Sequence, residues 1–261
     1  MAVQPYDPTS PSIARVYDYW LGGKDNSGPD RALAREMLDV YPLMAQMARE
    51  NRQFLGRAVG FAARRGVRQF IDVGAGLPTG RNTHEVARAV APGARVAYVD
   101  NDPMVIAHAR GLLASDDSVI AIQGDLRDPD AILTDRQVSG LIRFGKPVCV
   151  LLAGVLHFLD AETARSVAAT YTRAIARGSY LIISVGTGHP ARETQVTSAY
   201  AAAPLYSHSY QQIAGFFDGL DLVPPGLVPA PAWTAGVVVT QLPWRDATFL
   251  AGMGRKSHTA R

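Results

Sequence analysis

From about Ser12 to Arg65 the apolar residues recur at helical spacing: Leu33, Met37 and Val40, then Leu43 and Met47, then Phe54, Leu55, Val59 and Ala62. This predicts a helical N-terminal segment, residues 1–65, acting as a cap or lid packed on the same domain as residues 66–261. The segment is interrupted by LGGKDNSGPD, whose glycine, asparagine, aspartate and proline mark a loop and then a helix start near Pro29. After Gly66 the period changes. Short apolar runs alternate with helical stretches: RQFIDVG, a helix over about Asn82 to Val90, RVAYVD, a helix over Pro103 to Leu113, and SVIAIQGD. KPVCVLLAGV, a helix over about Ala161 to Ala176, and GSYLIISVGT continue the series. These five runs are too apolar for strands wet on one side, so they predict a parallel sheet covered on both faces, the doubly wound α/β arrangement. Beyond Thr187 come a polar, tyrosine-bearing stretch, a helix over about Ser209 to Phe217, LDLV, the proline-rich PPGLVPAPAW and a last apolar run, AGVVVTQL. Read as a hairpin with a long loop, the last two runs close the sheet edge with an antiparallel strand and bring the strands to seven.

Composition narrows the class. The chain has 261 residues, 48% of them hydrophobic and 19% charged, which excludes a disordered or collagen-like polymer. Apolar runs such as Val148 to Leu156 fall well short of the roughly 20 residues of a membrane span. The N-terminus shows no basic region, apolar core and cleavage site, so the cytoplasm is the expected location. The one cysteine, Cys149, lies inside an apolar run and reads as a small buried hydrophobe, and no His and carboxylate cluster suggests a metal. The net charge is +3, but the arginines are scattered rather than gathered into a stripe, which disfavours a nucleic-acid partner.

In open α/β sheets, ligands bind beyond the carboxyl ends of the strands, so the chemistry is sought there. The first strand runs into DVGAGLPTG, where Gly74 and Gly76 allow a tight turn and close approach of backbone to ligand. A dinucleotide fingerprint would place its third glycine one residue before Gly80, and Pro78 removes an N–H that a phosphate would use. The pattern suits a ligand without phosphate. Asp100, at the tip of the second strand, is placed to accept both ribose hydroxyls of a nucleoside, while Asp102 reads as the cap of the following helix. Asp125 and Leu126, after the third strand, are placed to meet an adenine edge.

DVGAG, YVDND and QGDLRD resemble the first three motifs of the class I S-adenosylmethionine-dependent methyltransferases. More narrowly, RVYDYWLGGKDN, QFIDVGAGLPT, NTHEVA, YVDNDPMV, GDLRDP, VLLAGVLHFL, GSYLIIS and LAGMGRK resemble a bacterial S-adenosyl methyltransferase family of unassigned acceptor, over almost the whole chain. The resemblance implies a Rossmann-like fold and S-adenosyl-L-methionine as methyl donor, leaving S-adenosyl-L-homocysteine. It implies that Asp72, Gly74, Ala75 and Gly76 line the methionine part, and that Asp100 takes the ribose with Asn101 beside it. Asp125 and Leu126 would flank the adenine, and Ala153, Gly154 and His157 would face the sulfonium. Leu77 and Pro78 replace the third glycine usual in the wider class.

Methyl transfer from a sulfonium is an in-line displacement on an activated carbon, so positioning supplies much of the catalysis. An oxygen acceptor needs a general base; an unprotonated amine does not. Candidate bases are His157, His189 with Glu193, and His208 with Tyr206 and Tyr210. In the N-terminal segment Tyr19 and Asn26 are expected to approach the cofactor, since an aromatic ring attracts a sulfonium; the alternative is that Tyr19 and Trp20 are core aromatics. The place after the fourth strand reads AGVLHFL and lacks the Asn- or Asp-Pro-Pro-aromatic or Pro-Cys signature of DNA methyltransferases, so a small-molecule acceptor is expected. Two rivals stay open: a protein that binds the cofactor without turnover, and an NAD-dependent oxidoreductase, against which the late glycine and Pro78 count.

Overall fold

Five apolar runs become the spine of the sheet. In the structure, a computed structural model that describes residues 7, 9–113, 117–187, 203–237 and 249–257, the strands are β1 (Gln69–Val73), β2 (Arg95–Asp100), β3 (Val119–Gln123), β4 (Cys149–Ala153) and β5 (Tyr180–Gly186). They pair in parallel in the order β3-β2-β1-β4-β5, so the chain reverses its direction of travel across the sheet between β1 and β4. Every residue of β1 is buried because successive side chains enter different cores. Phe70 points to one side and Ile71 and Val73 to the other.

Three helices come before the sheet: α1 (Ile13–Leu21), α2 (Gly28–Val40) and α3 (Met44–Arg64). The third lays Phe54, Leu55, Ala58, Val59 and Ala62 on the face that also carries α4 (Thr83–Val90) and α5 (Pro103–Leu113). On the opposite face lie α6 (Pro129–Thr134), α7 (Arg136–Leu141), α8 (Ala161–Ala174) and α9 (Tyr210–Gly215), through Ile132, Val138, Val167, Tyr171 and Ile213. The helices α1 and α2 form a smaller third cluster with the start of α3, through Val16, Trp20, Leu33, Met37 and Ala48. An ion pair fastens it: Arg15 Nε lies 2.9 Å from Asp30 Oδ2, and the two side chains are only 3% and 0% exposed. Asp30 also accepts from the backbone N–H of Ser12 and of Ser27, so one carboxylate joins both helix starts.

An antiparallel strand closes the sheet as expected, but it comes from later in the chain than the run AGVVVTQL. That strand is β8 (Phe249–Arg255), paired with β5 from Tyr180↔Arg255 to Gly186↔Phe249. The short strands β6 (Asp221–Leu222) and β7 (Val228–Pro229) lie one after the other on its far side, at Arg255 to Gly254 and at Ala251 to Leu250. Eight strands therefore fill seven positions. The run AGVVVTQL is not the closing strand over residues 235–237, and the rest of it falls outside the described residues. The physical reason is steric: a Cβ at Gly254 would come within 2.8 Å of Leu220, so two glycines in β8 that weaken its strand pattern are what let the edge pack.

Candidate active site

At the carboxyl ends of β1 to β5 the chain opens a cleft of about 960 Å³. It is roofed by α1 to α3. The turn after β1 is built from left-handed glycines, Gly74 at φ 70° and Gly76 at φ 66°, and a Cβ on Gly74 would run into Val155 Cγ1. The N–H groups of Gly74 and Ala75 donate to the Val99 carbonyl at 2.8 and 3.1 Å, which draws the turn over β2.

Asp100 holds that turn. Its Oδ2 accepts from Gly76 N–H at 2.9 Å and its Oδ1 from Asp102 N–H at 3.0 Å. Burial pushes its pKa up to about 6; the two N–H donors oppose the shift, and the charges of Asp102 and Asp72 add to it. Asp72 is buried beneath the turn and accepts from Thr83 Oγ1 at 2.6 Å, and burial raises its pKa also. Asp125 is paired with Arg127, whose Nε sits 2.9 and 3.0 Å from its two oxygens, and that partner holds its carboxyl below the ordinary value.

On the other side, Gly154 at φ 72° donates to the Ser184 carbonyl, and a Cβ there would approach Asn51 Nδ2 at 3.1 Å. Asn51, on α3, links three elements: its Nδ2 donates to Tyr17 Oη at 3.1 Å and its Oδ1 accepts from Ser184 Oγ at 2.6 Å. His157 lies on a short 3-10 turn after β4, and its Nδ1 accepts from Gly186 N–H at 3.2 Å. That bond fixes the neutral tautomer with the proton on Nε2. Burial, with His208 nearby, lowers its pKa to about 3.

Asp72, Gly74, Ala75, Gly76, Asp100, Asn101, Asp125, Leu126, Ala153, Gly154 and His157 all line the cleft. Tyr19, Asn26 and His208 do not. On α1 the buried Val16 and Trp20 set the inward face, and Tyr17, not Tyr19, reaches the cleft; Tyr19 turns back toward Arg35, 5.9 Å from its ring. Asn26 Nδ2 donates instead to Asp18 Oδ2 at 2.8 Å, in the loop after α1. His208 is buried, with its Nε2 3.2 Å from the Leu156 carbonyl and its ring edge-on to Phe216. His189 and Glu193 lie outside the described residues. Tyr17, Asn51 and Arg52 line the cleft without having been singled out in the sequence, although the phase of Val16 and Trp20 on α1 carried a signal for Tyr17.

A buried ionisable carboxylate that among the described residues accepts from backbone N–H groups alone, beside a turn whose Gly74 has no room for a Cβ, suits a nucleoside. Residues 2–257 match the S-adenosyl methyltransferase family. A crystal structure from Thermobifida fusca YX, provisionally assigned as a methyltransferase, is 40% identical with a TM-score of 0.88, covering 95% of this chain and 96% of that one. A DUF574 family protein from Streptomyces avermitilis is 34% identical with a TM-score of 0.87, covering 96% and 99%. The N-methyltransferase NodS from Bradyrhizobium japonicum, 15% identical over 81% of this chain and 97% of that one with a TM-score of 0.51, shares the fold. No curated protein matches the sequence. With the family match spanning nearly the whole length, the chain belongs to the S-adenosyl methyltransferase family.

Proposed function

We propose that the cleft binds S-adenosyl-L-methionine over β1 to β3 and a small-molecule acceptor over β4 and β5, in a bacterial cytoplasmic enzyme. The observation that carries this reading is Asp100, a buried carboxylate already tied to the glycine turn and short of donors. Ribose hydroxyls supply them. Asn101 lies beside Asp100, Leu126 and Asp125 border the adenine, and the backbone of Gly74 to Gly76 faces the methionine part. The cofactor brings a methyl group already activated by its sulfonium. The protein's own part is to align the acceptor and exclude water, which Asn51, Tyr17 and His157 serve from the far wall.

His157 is a poor general base, since its Nδ1 is occupied by Gly186 N–H and its Nε2 already carries a proton. Its role in this reading is to donate a hydrogen bond from Nε2.

Calorimetric titration tests the cofactor site. S-adenosylmethionine and S-adenosylhomocysteine should bind with micromolar affinity and NAD should not. Asp100→Ala and Gly74→Val should each abolish binding while leaving a folded protein by circular dichroism. Binding of NAD in place of the sulfur nucleosides would overturn the reading in favour of redox chemistry.

A further inference from the structure

The cleft is divided by charge. Among the described residues that line it, every charged side chain belongs to the N-terminal stretch from Asp7 to Arg15, to Arg52, or to β1 to β3 and the loops that follow them. The described residues that line the half over β4 and β5 carry no charged side chain. Its wall is made by Trp20, Met37, Met44, Met47, Phe158 and Leu205, most of which pack in the cluster that joins α1 and α2 to α3. Two polar atoms of the aromatics there are already engaged: Trp20 Nε1 donates to the Ala34 carbonyl at 3.2 Å and Tyr17 Oη to the Ala48 carbonyl at 3.0 Å. These side chains offer the cavity aromatic surface and thioether. Methionine is the apolar side chain that best reshapes around an irregular guest, and its sulfur favours ring edges. The Nε2 proton of His157 meets no acceptor among the described residues, and the hydroxyl-bearing Tyr41, Thr187, Tyr206 and Ser207 line the cleft as well.

Size and charge together define the guest. A volume of about 960 Å³ stands at the top of the roughly 300–1,000 Å³ range of small-molecule sites, which suits two ligands side by side better than a nucleoside alone. A carboxylate or phosphate entering the apolar half would lose its water and meet no counter-ion among the described residues, and a neutral imidazole offers none. We propose that this half selects an uncharged, largely apolar acceptor built on a planar ring system, with a polar atom other than the methyl-accepting one accepting from His157 Nε2. The inference rests on the cofactor reading of the other half.

The test uses the full-length protein saturated with S-adenosylhomocysteine and titrated calorimetrically with 2-naphthylmethanol, 2-methylnaphthalene, 2-naphthoate and 1-octanol. The expected result is binding of 2-naphthylmethanol, with naphthoate and octanol weaker by about tenfold or more. Met44→Glu, a partly exposed wall position, should weaken 2-naphthylmethanol by about tenfold and leave S-adenosylhomocysteine affinity unchanged, while Met44→Leu retains both. His157→Phe should weaken 2-naphthylmethanol and spare 2-methylnaphthalene. Naphthoate binding as tightly as the alcohol, or no ring probe binding to the loaded protein, would overturn the proposal. Failure of S-adenosylhomocysteine itself to bind would instead refute the cofactor reading, and the proposal with it.

Discussion

Asp100 and His157 are both shifted by burial, in opposite senses, and this separates their signatures at the residue scale. Asp100 titrates near pH 6 in the free protein, and hydroxyl donors from a ribose favour its ionised form. Nucleoside binding near that pH should therefore release a proton, and affinity should rise from about pH 5 to about pH 7 and then level off. Calorimetry in two buffers of different ionisation enthalpy measures the proton, and Asp100→Asn should remove both the release and the pH dependence. His157 gives the reverse case for stability. Its native pKa is near 3 against 6.5 unfolded, so below pH 6.5 the unfolded chain binds a proton that the native protein refuses. The contribution is complete above pH 6.5 and is lost as pH falls toward 3. Asp100, raised from 3.8, works against it, contributing most below 3.8 and losing that as pH rises through 6. The difference between wild type and His157→Gln in urea denaturation at neutral and acid pH isolates the histidine. Asp100 was legible in the sequence because an acid at a strand tip has few roles. The choice of Tyr17 over Tyr19 was legible only through the phase of Val16 and Trp20, since residues two apart on a helix face nearly opposite ways and packing says which way is in.

The element most exposed to a single substitution is α1, which is fastened to α2 by the buried Arg15 and Asp30 pair. Removing one partner of such a pair leaves an uncompensated charge in the interior. Asp30→Ala should cost about 3–5 kcal/mol in chemical denaturation, and Asp30→Asn less, since it keeps the shape and part of the hydrogen bonding. The helix start at Ser27 to Asp30 was readable as a loop ending in proline. The task of Asp30 as counter-ion to Arg15 was not, because the two are brought together only when α1 folds against α2. Scale also explains α6 and α7, which the sequence reading passed over: at 6 residues each they hold barely more than one turn, too short to display a helical period.

For the molecule as a whole, β8 is the keystone of one edge, pairing with β5, β6 and β7 at once. Its partner β5 lies more than sixty positions earlier in the chain, so the edge forms only through long-range pairing. A chain ending at residue 248 should lose its single cooperative unfolding transition and bind a hydrophobic dye, as expected when the buried faces of β5, Trp233 and Phe217 lose their cover. A sharp thermal transition in that truncated chain would refute this account of the edge.

The alternation of buried strands with helices, the class of fold and the strand-end placement of Gly74, Gly76, Asp100, Asp125 and Leu126 were all determined by the sequence alone. Each is written in local spacing: a period, a turn glycine, an acid at a tip. The tertiary structure decided what depends on meeting partners distant in the chain. It put Asn51 of α3 against Ser184 of β5, fixed the tautomer of His157 through Gly186, set the glycine-bearing β8 between β5 and the short strands β6 and β7, and brought Tyr17, Asn51 and Arg52 into the cleft. Local pattern reports which face of an element is apolar, but only packing determines what that face meets.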